Sequence, residues 1–306
     1  MKDCLLRYAE KVMNIFRKAV RPIVYRLHGL FHRTVTAKTR QGILTMFTRD
    51  DGIGRRLFRN RQYEFDFSVK VIDFLKREKF IPTDGVCMLD VGANIGVIST
   101  GLLLSGHVEF SVAIEPEPSN FELLTKNVQQ NGLSGRMICL PVAMADKETT
   151  LHMELAPNNP GDHRIRSVPV QGVAERLRES TRQTVPVKAF PMARVFSLPD
   201  VEKLGRKGPS FVWIDVQGYE GYAFDGGRTM LSVGVPTVSE IWPYGILRAG
   251  MPLEKFVSLV QSIWSDYWVQ RRGKFVRYPI AVFDRFLAEL GTDGAFENVI
   301  FTKGQC

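Results

Sequence analysis

The sequence predicts an α/β protein: a doubly wound, mostly parallel sheet preceded by an N-terminal helical extension. Three observations carry that expectation. Short apolar runs end at an acid and are followed by helix-like stretches, as at Val86 to Asp90, Phe110 to Glu115 and Phe211 to Asp215. Turn chemistry separates the two patterns, at Asp84-Gly85, at Asn131-Gly132 and in the glycines that follow Asp90. Strands alternating with helices along a chain build parallel sheets, because each parallel pair needs a crossover.

The elements follow in order. Placed on a helix, residues 1–31 align Leu5, Ala9, Val12, Phe16, Ala19, Ile23, Leu27 and Leu30 on one stripe, with Arg7, Lys11, Lys18, Arg21 and Arg26 opposite. Pro22 is a natural break in this basic amphipathic arm. The stripe fits packing on the body or a partner chain, and it equally fits a membrane interface facing anionic lipid. Residues 32–62 are polar and basic and read as a connecting segment. Tyr63 to Lys79 reads as a helix, stopped by the turn Ile81 to Gly85. Val86 to Asp90 is the first strand of the body and Phe110 to Ile114 the second. Ser119 is the expected cap of a helix that closes at Asn131-Gly132. Met137 to Val142, Phe211 to Asp215 and Val235 to Ile241 are the third, fourth and fifth strands, with a helix from Gly221 to Leu231. Asn298 to Thr302 reads as a late strand, antiparallel at the sheet's end. The expected division is therefore 1–61 as arm and linker and 62–306 as one catalytic domain.

Composition bounds the function. The chain has 306 residues, 44% of them hydrophobic and 24% charged, which is ordinary for a globular protein and unlike a disordered or fibrous one. No apolar run approaches the roughly 18 to 20 residues that span a bilayer. The net charge is +9, yet residues 1–61 hold 15 Lys and Arg against four acids, and residues 62–306 hold 26 against 28. The basicity belongs to the arm, which weakens any argument from charge to a nucleic-acid-binding body. Cys4, Cys87, Cys139 and Cys306 lack metal or disulfide spacing, so no metal is expected and a reducing compartment is. The first residues carry no secretory h-region, and the expected location is the cytoplasm, with the arm able to reach the inner membrane surface.

In doubly wound sheets ligands sit at the carboxyl ends of the strands. Asp90-x-Gly92-x-Asn94-x-Gly96 is a glycine-rich strand-to-helix turn whose backbone can approach a ligand closely. Glu115, at the tip of the next strand, suits the two hydroxyls of a ribose. Together they indicate an adenosine-type cofactor. The strings MLDVGANIGVIS, VAIEPEPSNFELLTKNVQQNGL, VAMADKETTLHM and WIDVQGYEGYAFDGGRTML resemble the FkbM family of methyltransferases. That resemblance implies a class I methyltransferase fold (Rossmann-like), S-adenosyl-L-methionine as cofactor, and O-methylation of a hydroxyl on a sugar, glycan or other small acceptor. By the same resemblance Asp90, Gly92, Asn94 and Gly96 hold the methionine end, Glu115 the ribose, and Ala143 and Asp146 lie beside the adenine. Asp215, Gly218 and Glu220 match the signature after the fourth strand, where the methyl group points.

The chain departs from the family in two places: the family's Lys is Trp213 here, and its first Glu is Gln217. A glutamine orients a hydroxyl but does not take its proton. His163, in a polar loop, is then a candidate base beside Asp215 and Gln217. Arg164 and Arg166 are candidate binders of an anionic acceptor, and Trp242-Pro243-Tyr244 offers either a sugar platform or core. Two alternatives remain open: a nicotinamide-dependent oxidoreductase, against which the GxNxG loop counts, and a docking protein with a non-catalytic methyltransferase fold. Nucleic acid is not an expected partner, since Asp215-Val-Gln-Gly stands where base methylases carry an Asn/Asp-Pro-Pro-aromatic motif.

Overall fold

The computed structural model describes residues 18–166 and 175–304. Its strands in chain order are β1 (Thr34–Thr39), β2 (Gly42–Phe47), β3 (Cys87–Val91), β4 (Phe110–Ile114), β5 (Met137–Leu140), β6 (Ala143–Met144), β7 (Thr149–Glu154), β8 (Arg164–Ile165), β9 (Thr184–Phe190), β10 (Phe211–Ile214), β11 (Thr237–Ile241), β12 (Asp266–Arg271), β13 (Lys274–Pro279) and β14 (Glu297–Thr302). The helices that position the site are α1 (18–28), α2 (Ile53–Asn60), α3 (Phe65–Arg77), α4 (Val97–Leu104) and α5 (Pro118–Gln130).

Eight strands form the central sheet in the order β5-β4-β3-β10-β11-β14-β12-β13. The first five run parallel, and β14 pairs antiparallel with both β11 and β12. β3 is buried at every position, as expected for a strand covered on both faces, and its sequence CMLDV is accordingly an almost unbroken apolar run. One core cluster joins Leu89, Val91, Val212 and Phe224 on one face of the sheet; another joins Met88, Phe211 and Trp213 to α3 and α4 on the other. The chain leaves β3 toward β4 and leaves β10 toward β11, on opposite sides, so the connections after these two paired strands diverge at the switch point.

Four expectations change. Residues 32–62 are not a connecting segment: they fold as the β1–β2 hairpin and α2, with Thr34 paired to Phe47 and Thr39 to Gly42. Leu44, Met46, Leu57 and Phe58 bury against Ile95, Val97 and Leu123 of the body, which holds this piece in place. The cap of α5 is Glu117 rather than Ser119: its side chain accepts from Asn120 N at 2.7 Å, and Pro118, with no N–H to lose, opens the helix. The late strand β14 lies inside the sheet, because the β12–β13 hairpin adds beyond it. Finally, β6-β9-β7-β8 form a second, four-stranded sheet where the sequence predicted no strand.

Of the arm's stripe, Leu5, Ala9, Val12 and Phe16 lie outside the described residues. In α1 the residue that packs inward is Tyr25, 2% exposed, whose ring meets Phe58 and whose hydroxyl donates to Asp50 O at 3.0 Å. Ile23, Leu27 and Leu30 face outward. No helix among the described residues is long and apolar enough to cross a membrane.

Candidate active site

The turn after β3 is made by its backbone. Gly92 and Gly96 have φ of +87° and +79°, and Asn94 shares the left-handed region at +53°, where asparagine is tolerated better than most side chains. A Cβ on Gly92 would stand 1.9 Å from Asp215 O, so only glycine lets β3 and β10 approach at the switch point. After β10 the pattern repeats: Gln217 has φ +53° and Gly218 +104°, and a Cβ on Gly218 would meet the backbone of Gly245. A left-handed glutamine costs about 1–3 kcal/mol, a strain of the kind that collects at functional sites.

Between these turns lies a partly enclosed cavity, whose space, open solvent at its mouth included, is about 570 Å³. Gly92, Asn94, Glu115, Ala143, His163, Asp215 and Gln217 all line it, so the structure brings together seven of the ten expected site residues. Asp90, Gly96 and Asp146 do not. Asp90 is 3% exposed and accepts a hydrogen bond from Ser99 Oγ behind the turn, and burial raises its pKa to about 7. Gly96 ends the turn against Leu124. Asp146 is exposed in a bend after β6.

Glu115 is set at the cavity by two backbone donors: Asn94 N reaches Oε2 and Glu117 N reaches Oε1, each at 2.8 Å. Burial outweighs these bonds and lifts its pKa to about 7. A segment around Pro160 is strapped across the opening, since Asn94 Nδ2 and Asn120 Nδ2 both donate to Pro160 O, at 3.1 and 3.2 Å. The Asn94 side chain is thus spent on the strap, leaving its backbone to the cavity. His163 stands in the same segment. Its Nδ1 accepts from Ala156 N at 3.0 Å, and burial lowers its pKa, so the ring is neutral with the proton on Nε2.

The other end of the cavity is acidic. Gln217 Nε2 donates to Asp215 Oδ1 at 2.6 Å and to Glu240 Oε1 at 3.4 Å, bridging the ends of β10 and β11. Burial and the neighbouring charge of Asp215 push the Glu240 pKa up to about 10, and burial raises that of Asp215. Glu240 stands near the end of β11, and its partnership with Gln217 follows from β10 and β11 being neighbours. Tyr63 and Glu64, just before α3, feel the same carboxylates. Gln41 fixes Tyr63 there: its side chain accepts from Tyr63 N at 2.8 Å and donates to Val97 O at 3.2 Å.

Several expected acceptor groups are spent internally. Arg164 is 2% exposed, stacks over Trp242 at 4.8 Å and pairs with Asp162. Tyr244 is buried and donates to Glu179 Oε1 at 2.5 Å, so the Trp242–Tyr244 segment is core and not a sugar platform. Arg166 pairs with Glu154 at 3.6 Å. Trp213, where the family has lysine, packs edge-on against Phe67 in the core and does not line the cavity.

A family model, the methyltransferase FkbM domain, matches residues 90–259, more than half of the chain. The chain belongs to the FkbM methyltransferase family. As an FkbM protein it is an S-adenosylmethionine-dependent methyltransferase with a class I, Rossmann-like fold. No curated protein matches it. Among solved structures it is similar to Mycoplasma capricolum TrmK in complex with S-adenosylhomocysteine, at 9% identity over 80% of this chain and 69% of that one, with a TM-score of 0.39. It is also similar to a precorrin-6y C5,15-methyltransferase from Geobacter metallireducens, at 11% identity over 78% and 88%, with a TM-score of 0.37.

The cavity of this FkbM protein fits such a cofactor on its own chemistry. Asn120 lines it, and its buried Oδ1 has no hydrogen-bond partner, an acceptor waiting for a ligand donor. Val142, Ala143, Met144, Met153 and Ile165 line it with an apolar wall, and Glu115 and Asp215 line it with carboxyl groups.

Proposed function

We propose that this protein methylates a hydroxyl oxygen of a sugar or similar small acceptor. The observation that carries the reading is the Asp215–Gln217–Glu240 bridge, which places the Asp215 carboxyl and the Gln217 amide in the wall of the cofactor cavity. Gln217 commits its amide hydrogens to the two carboxyl groups, and its carbonyl oxygen is then left to accept from a hydroxyl.

In this reading the backbone of the Gly92–Asn94 turn holds the methionine end of S-adenosylmethionine. Glu115 takes the ribose hydroxyls, and the wall from Val142 to Met144 faces the adenine. The cofactor supplies a methyl group already activated on a sulfonium, so the protein's task is chiefly alignment. Asp215, its basicity raised by burial, receives the acceptor's proton at its carboxylate. His163 presents an N–H in this geometry and donates to the ligand, which leaves proton removal to the carboxylates. The strap at Pro160 excludes water from the ribose side.

The test is to incubate methyl-labelled S-adenosylmethionine with the glycan, lipid, small-molecule and RNA fractions of the source cells. Label in an alkali-stable ether on a hydroxylated small molecule or glycan supports the reading. Label in RNA or on an amine overturns it.

A further inference from the structure

We infer that the outer face of α1 and the turn after it dock on an anionic lipid bilayer. The argument begins with orientation. Tyr25 anchors the helix to the body, and it lies two positions from both Ile23 and Leu27, or about 200° round the helix. The apolar stripe therefore points away from the protein: Ile23 is 61% exposed, Leu27 55%, Leu30 68% and Phe31 81%. Val24, at 46%, widens the same face. An amphipathic helix normally turns such a stripe inward, because leaving these side chains in water forfeits about 1.5–3 kcal/mol each. Among the described residues of α1 the buried side chain is a tyrosine off the stripe, and its hydroxyl is tied to the backbone of Asp50.

Charge selects the occupant. Residues 18–33, the helix and the turn after it, hold Lys18, Arg21, Arg26 and Arg33 and no acid, and the next acids along the chain are Asp50 and Asp51. Neither acid offsets the face: Asp50 is buried and bonded to Gly52 N and Gly54 N, and Asp51 lies beside Arg55 at 3.5 Å. Arg26 and Arg33 flank the apolar residues and are exposed. Exposed isoleucine, leucine and phenylalanine inside a basic rim match the acyl and headgroup layers of an anionic bilayer. A polyanion such as RNA would use the rim and leave the apolar face in water. The inference does not depend on which molecule accepts the methyl group.

The full-length protein is sedimented with phosphatidylcholine vesicles and with vesicles containing phosphatidylglycerol. It should pellet with the anionic vesicles and be partly released by salt. Leu27→Glu with Phe31→Glu should abolish pelleting, and Arg26→Ala and Arg33→Ala should each weaken it about fivefold. Thermal stabilisation by S-adenosylhomocysteine should be unchanged in every variant, which shows that each is folded and keeps its cofactor site. Pelleting that survives the glutamate pair, or none with anionic vesicles, overturns the proposal. A dimer or an RNA complex abolished by the glutamate pair, without vesicle binding, reassigns the face to that partner.

Discussion

Gln217 carries the consequence of this chain's departure from its family. Its amide gives hydrogens to two carboxylates, and the strained left-handed backbone holds it in that position. Replacing it by the family's own residue puts a third carboxyl group against Asp215 and Glu240. Gln217→Glu should therefore lower stability by about 1–3 kcal/mol at pH 8. The new carboxyl has a raised folded pKa, so the penalty grows as pH climbs above its unfolded value and fades in acid. Unfolding midpoints at pH 5 and pH 8 measure this; equal losses at both would refute the bridge. Glu115 gives a second pH effect. With its folded pKa near 7, it must shed a proton to accept two ribose hydroxyls, so cofactor affinity should rise as pH passes from 6 to 8. Titration calorimetry at pH 7, in buffers of different ionisation enthalpy, should show proton release on binding. At this scale the cavity's own residues were legible, because strand-end acids and left-handed glycines leave a spacing in the sequence. The cost of burying Asp90, and the spending of Arg164 and Tyr244 inside the fold, were not, because burial is set by distant segments.

Among the elements, the β1–β2 hairpin shows what sequence patterns miss. TVTAKT and GILTMF are joined by Arg40-Gln41 rather than a strong turn dipeptide, and their polar content reads as loop. What stabilises the hairpin is non-local. The free edge of β2 is paired by side chains of α5: Asn127 accepts from Thr45 N at 2.7 Å and donates to Thr45 O at 3.1 Å. Asn131 does the same for Ile43, at 2.9 and 2.7 Å. The match is metric, since four residues of helix rise about 6 Å and two residues of strand about 6.6 Å. The helix thus acts as a neighbouring strand. Asn127→Ala leaves a buried strand N–H and two carbonyls without partners, for Asn127 also donates to Ile95 O. It should cost about 2–4 kcal/mol. Denaturant unfolding measures that loss, and hydrogen exchange should quicken selectively at Thr45; a loss confined to α5 would refute the pairing.

For the molecule as a whole, the parallel strands were legible, since a crossover sheet must alternate strand and helix, but their order in the sheet was not. The division at residue 61 reads differently once the hairpin and α2 are seen to share a core with Ile95, Val97 and Leu123. A chain trimmed to residues 62–306 exposes those side chains and releases Tyr63 from Gln41. It should melt lower by about 5 °C or more and bind S-adenosylhomocysteine more weakly, as thermal scans with and without the ligand will measure. A trimmed chain that melts and binds as the full one does would make the N-terminal piece an appendage. The attachment of that piece also carries a clock. Asn131 is followed by Gly132, whose unhindered amide nitrogen is well suited to attack the asparagine side chain, expel ammonia and leave an aspartate or isoaspartate. While Ile43 grips both ends of the Asn131 amide, that ring cannot close. Each opening of the hairpin edge exposes the bond to deamidation, and the carboxylate left behind cannot donate to Ile43 O. The slow accumulation of that product in stored protein would record how often the N-terminal unit has let go of the body.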